Sequence, residues 1–412
     1  MLTPTLALDL ILERLPRPAA DLRPLQDTLG LAAAEDLHSR ATVPPFTNSA
    51  MDGYAVRAED LASASLDHPV RLRVLGDLAA GGVSHSVVKV GEALRIMTGA
   101  PLPEGADAVV PVEDTRCGEG PGGDWMEACK PLRAGIHIRL AGEDLQKEQL
   151  LVKAGHQLRP GDLGVLAAAG LPALPVHPRV RVAVLTTGDE LVDVSDEPGP
   201  GRIRDANIHA LCAQVAACGA IPVPFPRVPD DRETLKQTLL RALEADVVLT
   251  TGGISVGDYD FMKGLFEALG AERIFWKVAQ KPGGPLGFWM LQGKPVFGIP
   301  GNPVAAMLMV EEYVRPALRK LMGFANLHRP VAEASLEGGW SGKVGDHRTT
   351  FLRVVARREG GHLKARLTGP QGSAILSSML TANALAVIPE GLDRVAPGGP
   401  VTLHLTEEAE DH

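Results

Sequence analysis

Two stretches drive an apolar, β-branched run into the same ending and then into acids: RVAVLTTGDEL, residues 181–191, and ADVVLTTGGISVGDYD, residues 245–260. Behind a buried strand, Gly252, Gly253 and Gly257 permit a backbone that turns successive N–H groups inward as an anion nest, with the Thr hydroxyls and Ser255 alongside. Taken alone, the same run also reads as a tight turn. The segment GIPGNPV, residues 298–304, places Asn302 at an N-cap and Pro303 at a first helical position. With Pro300 and Gly301 leading in, that helix would aim free N–H groups and its positive end at an anion. Capping alone accounts for the same pattern. A helix dipole adds only about 0.3–1 kcal/mol for a nearby anion, so a multiply charged ligand needs further donors. WKVAQKPG offers Lys277 and Lys281, whose other reading is surface charge. Carboxylates complete the set: Glu190 follows Gly188 of the first ending, Asp258 and Asp260 follow the second, and Asp230 and Asp231 lie between. Acids beside a phosphate site point to a hard cation, since Mg²⁺ takes oxygen ligands and bridges phosphates. Helix capping is the alternative for Asp230 and Asp231. GISVG also matches the serine-hydrolase elbow around Ser255, but an elbow turns directly into its helix. Here DYD intervenes and a helix is expected only from about Phe261. No GxxxxGK[ST] is present, so nothing supports nucleotide hydrolysis through a P-loop.

These groups need elements to position them. Between 179 and 327, strand-like and helix-like runs alternate with short connections. VRVAVLTT, DANIHALCAQVAACG, AIPVPFPRV, DRETLKQTLLRALEA, DVVLTT, FMKGLFEALG, KPVFGIP and VAAMLMVEEYVRPALRKLMG follow in that order. Such alternation implies a doubly wound α/β unit with a mostly parallel sheet, and these sheets bind ligands at strand carboxyl ends. Both LTTG runs are such ends. The first forty residues read as an amphipathic helix, a Pro-marked break and a second helix through LQDTLGLAAAEDL. Gly- and Pro-punctuated alternating runs from 46 to 140 suit an inserted β domain. The stretch 141–178 returns to mixed helix and turn and is expected to join 1–45 in a helical or mixed N-terminal domain. Beyond 328 the hairpin texture suits a small C-terminal β-barrel.

A chain of 412 residues exceeds what one core supports. Its net charge of -9 leaves no basic footprint for nucleic acid, and no apolar run is long enough for a membrane span. Four cysteines without CxxC pairing read as reduced thiols of a cytoplasmic protein.

Together PPFTNSAMDGYAVR, IMTGAPLPEGADAVV, AGEDL, LTTGDEL, TTGGISVGDYDF, KPGGP, FGIPGNPVAA and QGSAILSSM resemble the molybdopterin molybdenumtransferase family (MoeA and the gephyrin C-terminal domain), in the family's order from the N-terminus to about Leu405. The resemblance implies insertion of molybdate into adenylylated molybdopterin with release of AMP, a requirement for Mg²⁺, and an elongated homodimer. It makes Asp52 and Thr98 functional toward a partner subunit's crevice. It makes Glu190, Asp230 and Asp260 catalytic acids, with Glu190 and Asp260 as metal ligands. Lys277, Lys281, Pro300 and Pro303 become substrate-site positions, and Arg353 and Ser373 become molybdate-binding ones. From the residues alone, Arg353 is a strand-surface charge and Ser373 a turn residue. The pterin adenylyltransferase and molybdoenzyme apoproteins are the implied partners. A gephyrin-like scaffold without turnover, or a hydrolase using Ser255, would be the alternative functions. Two departures stand out: Gly284 replaces the family's usual lysine in KPGKP, and QKEQLL lacks the usual glycine.

Overall fold

The computed structural model describes residues 1–121, 123–229, 231–252 and 259–411, the side chains of 259–263 and 410–411 excepted. Helix α1, Pro4–Arg14, starts where Thr3 Oγ1 accepts from Leu6 N and Pro4 takes the first turn. Its buried Ala7 and Ile11 pack into the α/β core rather than against the segment that follows.

The second expected helix does not form. Leu25–Asp27 is a single 3-10 turn between strands β1, Asp21–Pro24, and β2, Ala32–Ala33. Gly30 stands at φ +77, which breaks any helical path through the segment. Ala33 instead pairs with Val176 and Ala32 with His177, so tertiary strand pairing overrides alanine's helical preference.

The inserted unit is a six-stranded sheet of β3 (Gly53–Val56), β4 (Val70–Leu78), β5 (Glu92–Ile96), β6 (Ala108–Pro111), β7 (Thr115–Gly118) and β8 (Trp125–Ala128). Its order is β6-β3-β5-β4-β8-β7. Helix α2, Pro160–Ala168, and strand β9, Ala173–His177, return the chain to the first sheet, where β9 lies between β1 and β2.

The α/β unit comprises β10 (Arg181–Thr186), α3 (Ala206–Ala217), β11 (Ile221–Pro224), α4 (Arg232–Ala242), β12 (Val247–Thr251), α5 (Tyr259–Ala268), β13 (Glu272–Trp276), β14 (Gln280–Lys281), β15 (Gly287–Leu291), β16 (Lys294–Ile299), α6 (Pro303–Met309) and α7 (Arg315–Leu321). Sheet order is β11-β10-β12-β16-β15-β13, parallel across the first four strands and antiparallel across the last two joints. Strand β10 shows why helices cover both faces. Val182 and Val184 enter the cluster shared with α1, α3 and α6–α7, whereas Ala183 and Leu185 enter the cluster shared with α4. Alternate side chains thus bury on opposite faces. The antiparallel β13 and β15 were not anticipated from the sequence; their aromatics pack Phe266 against Trp289 at 4.6 Å and Trp276 against Trp289 at 5.9 Å.

Between α6 and α7 the helix widens into a π turn, Val310–Val314, where Arg315 N donates to Val310 O. Pro316 next in line has no N–H for the regular ladder, which favours the wider turn before it. The barrel is built from β17 (Val331–Leu336), β18 (Thr349–Glu359), β19 (His362–Leu367), β20 (Ala384–Ile388) and β21 (Gly399–Leu405), closed in the order β18-β19-β17-β21-β20-β18.

The barrel meets the π turn through His404, whose Nδ1 lies 3.0 Å from both oxygens of Glu312. Burial opposes charge on His404, but the hydrogen bond and negative charge of Glu312, with help from Glu311, overcome it and raise the imidazole pKa. A raised pKa stabilises fully below the unfolded value near 6.5 and is lost as pH climbs through the folded one. The urea midpoint should therefore fall from about neutral pH upward, and His404→Gln should flatten that slope. An identical slope in the variant would discount this ion pair.

Candidate active site

Strands β10 and β12 run side by side, Leu185 opposite Thr250 and Thr186 opposite Thr251, so the two LTTG endings emerge together. Thr187 N donates to Thr251 O at 3.0 Å. Gly252 follows at φ +88, and a Cβ there would lie 2.2 Å from the Thr187 carbonyl oxygen, so only glycine allows this approach. On the β16 side, Thr251 Oγ1 donates to Pro300 O at 2.8 Å. Asn207 Nδ2 donates to Gly301 O at 2.8 Å and to Thr251 Oγ1 at 3.2 Å. The structure therefore brings Gly188, Gly252, Pro300, Gly301, Asn302 and Pro303 to neighbouring strand ends. Thr187 Oγ1, in a residue 3% exposed, has no hydrogen-bond partner among the described residues.

In the sequence, Asn207 reads only as a residue near the start of the helix run DANIHALCAQVAACG. The cap is Asp205, whose carboxylate accepts from Ile208 N at 3.1 Å and from Thr186 Oγ1 at 2.5 Å. Asn207 is thereby free to bridge two strand ends. A polar side chain in the first turn after a parallel strand was the available signal.

The start of α6 differs from the expected open anion site. Asn302 occupies the N-cap position, yet its side chain makes no capping bond. Pro303 carries no N–H, and Val304 N donates to Ser373 O at 3.2 Å. A barrel loop thus closes this helix end, which places Ser373 at the crevice. Arg353 lies beneath that loop and is not the surface charge that the residues alone suggest: it is 0% exposed. Its guanidinium donates to the carbonyls of Gln371 at 3.1 Å, Pro370 at 3.3 Å and Gly372 at 3.0 Å, and to Ser378 Oγ at 3.1 Å. Burial pushes its pKa down.

Glu190 is exposed, and its carboxylate folds back so that a Cβ on Gly188 would meet Oε2 at 2.5 Å. Asp231 is the N-cap of α4, accepting from Thr234 N at 2.8 Å, and these bonds from Thr234 lower its pKa. Asp260 lies in the first turn of α5. Asp230, Gly253, Ser255, Gly257 and Asp258 lie outside the described residues. Strand β12 ends at Thr251, α5 is described from Tyr259, and the elbow-like stretch around Ser255 falls between them, outside the described residues.

Lys277 holds φ +68, a left-handed backbone uncommon for a side chain of this size, and its N–H donates to Leu286 O at 2.9 Å. Lys281 in β14 pairs with Thr350 of the barrel, and Tyr313 OH donates to Gln280 Oε1 beside it. Both lysines are exposed. A Cβ on Gly284 would meet only carbonyl oxygens at 3.5 Å, so the usual lysine would fit without strain. Asp52 accepts from Thr98 N and Oγ1, both at 2.7 Å, and these bonds hold its carboxyl below the usual range. No hydrogen bond or ion pair among the described residues links Asp52 or Thr98 to the strand-end group.

Among the described residues, no three His, Cys, Asp or Glu side chains converge as a metal cage. The exposed carboxylate of Glu190 suits an ion that takes few protein ligands and completes its shell with water and phosphate, and the side chain of Asp260 lies outside the described residues.

A glycine-turned parallel strand pair, with a barrel loop bonded to the head of α6, marks the α/β unit as a ligand-binding one. Residues 183–320 match the family model described as a probable molybdopterin binding domain. Residues 2–170 match the MoeA N-terminal region (domain I and II), and 343–406 match the MoeA C-terminal region (domain IV). The chain is 36% identical over 385 residues to the molybdopterin molybdenumtransferase of Bacillus subtilis, covering 93% of this chain and 89% of that one. It is 38% identical over 383 residues to molybdopterin molybdenumtransferase 2 of Mycobacterium tuberculosis, covering 91% and 92%. A MoeA protein structure from Pyrococcus horikosii superposes with TM-score 0.84 at 33% identity, covering 99% and 100%. The chain belongs to the molybdopterin molybdenumtransferase (MoeA) family.

Proposed function

We propose that this chain inserts molybdate into adenylylated molybdopterin and releases AMP. As a member of its family it is a transferase of molybdenum cofactor biosynthesis. The observation that carries the finer reading is the strand-end wall itself, where Gly252 is pressed on Thr187 and Asn207 ties Thr251 to Gly301. Such a wall offers backbone amides and hydroxyls to a phosphate-linked pterin. Lys277 and Lys281 add charge from the barrel side, and Ser373 stands where molybdate would approach. Arg353 acts as a positioning residue, shaping the loop that carries Ser373.

Glu190 and Asp260 would hold Mg²⁺, which when bound neutralises phosphate charge. Asp52 and Thr98 work across a homodimer, completing the crevice of a partner copy; their mutual bonds preset the carboxylate for that role. The chain acts in the cytoplasm, receives its substrate from a pterin adenylyltransferase and passes product to molybdoenzyme apoproteins. Among the described residues, no helix is long and apolar enough to cross a membrane.

Single-turnover AMP release from adenylylated molybdopterin, with molybdate and Mg²⁺ supplied, tests the reading. Glu190→Ala should slow release by about a hundredfold, the usual scale for one electrostatic group at a reacting centre. Full release without that carboxylate would remove Glu190 from the mechanism, and no pterin binding by the intact chain at any Mg²⁺ concentration would overturn the function.

A further inference from the structure

Away from the strand ends, a cavity of about 720 Å³ opens at the far end of α3, between α7 and the linker 325–330. Asn207 lies at the other end of α3, about 15 Å away along the axis at 1.5 Å per residue. The size falls in the range of small-molecule sites, roughly 300–1,000 Å³. Its lining includes Arg179, Arg315, Arg319 and Arg329, with His328, and no Asp or Glu among the described residues. In a chain of net charge -9, four cations without an acid on one wall are not an average sample of the surface.

The carboxylates stand behind the wall. Glu311 lies 2.5 Å from Arg329 Nε and 3.7 Å from Arg315 Nε, and the charges of Glu312 and Glu407 also reach Arg315 and Arg329 respectively, whereas the neighbours that act most on Arg319 include the like charges of Arg315 and Arg329. Arg315 is only 9% exposed. Burial and the neighbouring Arg329 push its pKa down, and burial and Arg315 do the same to Arg319. An anion in the cavity would relieve that repulsion.

The guanidiniums are also fixed in place. Arg315 Nη1 donates to Leu327 O at 2.9 Å, Arg319 Nε to Asn326 O at 2.5 Å and Arg179 Nη1 to Gly219 O at 3.0 Å. Arg319 further stacks on the Phe324 ring at 4.1 Å. The Arg179 bond also covers a carbonyl at the negative end of α3, which would otherwise repel an anion. Planar forks held in this way suit paired phosphoryl oxygens.

We propose that this cavity is a second, non-catalytic site for a small anion carrying two or more phosphoryl groups. Because Gln157 of the first unit, α7 and the barrel linker all line it, the bound anion fastens three units at one point.

Calorimetric titration of the intact chain with pyrophosphate at low ionic strength tests the site, read beside amide exchange in 325–330. We expect binding that protects the linker and weakens about tenfold or more in both Arg179→Gln and Arg319→Gln, the scale of one lost charge-assisted bond. Arg179 is exposed, so its substitution leaves the fold intact. Lys281→Gln, at the strand-end crevice, should leave this binding unchanged. ATP separates the sources: affinity equal to pyrophosphate means recognition of the phosphoryl chain alone, and tighter binding means a nucleotide. No heat and no linker protection in the unmutated chain would overturn the site. So would binding insensitive to both arginine substitutions, binding lost through Lys281→Gln, or AMP binding as tightly as pyrophosphate.

Discussion

Gly252→Ala should abolish pterin binding and lower folding stability by about 2–3 kcal/mol, the cost of one strained left-handed residue at the upper end of its range. Two penalties act together. The backbone stands at φ +88, and the new methyl would lie 2.2 Å from the Thr187 carbonyl oxygen. Relief requires β12 to move away from the end of β10, which breaks the bond from Thr187 N to Thr251 O. That motion carries Thr251 away from Pro300 and Asn207, so the crevice loses shape on both sides. Urea unfolding and equilibrium binding of the pterin provide the two readouts. A variant within about 0.5 kcal/mol of the parent, the ordinary scatter of neutral surface changes, would show that the strand ends are not locked in this way.

Arg353→Met should destabilise the barrel by about 3–5 kcal/mol, as expected when a buried charged partner is removed from groups that depend on it. The substitution leaves three carbonyls and the Ser378 hydroxyl without their donor, at about 1–3 kcal/mol for each unsatisfied group before relaxation. Loop 370–373 then keeps only its ties to the residue 353 backbone through Gln371, and Ser373 O is no longer held firmly against Val304 N. Arg353→Lys keeps the charge but cannot reach three carbonyls with one ammonium, so it should recover less than half of the loss. If Arg353 bound molybdate directly instead, Arg353→Met would spare the unfolding midpoint and change only the dependence on molybdate concentration.

Much of the α/β unit was legible because its strands are short apolar runs with short connections. VRVAVLTT, DVVLTT and KPVFGIP became β10, β12 and β16 because Val, Ile and Leu fill a sheet buried on both faces. The closed C-terminal barrel likewise followed its hairpin texture. The segment 25–37 was misleading, since an alanine-rich run favours helix locally while its partner strand lies about 140 residues later, at 173–177. Of the site, the glycine and proline positions declared themselves through backbone chemistry that few other residues can supply. Arg353 did not, because three of its partners are carbonyls of a coil 17–19 residues away, and carbonyls leave no trace in side-chain pattern. Asn207 was hidden by its plausibility as an ordinary helix start.

Val304 has a single amide hydrogen, and Ser373 already uses it. An oxyanion that takes this amide must therefore displace the barrel carbonyl from it. Occupancy and the seating of the C-terminal lobe are mutually exclusive at that atom, so an anion bound through it also loosens the latch above.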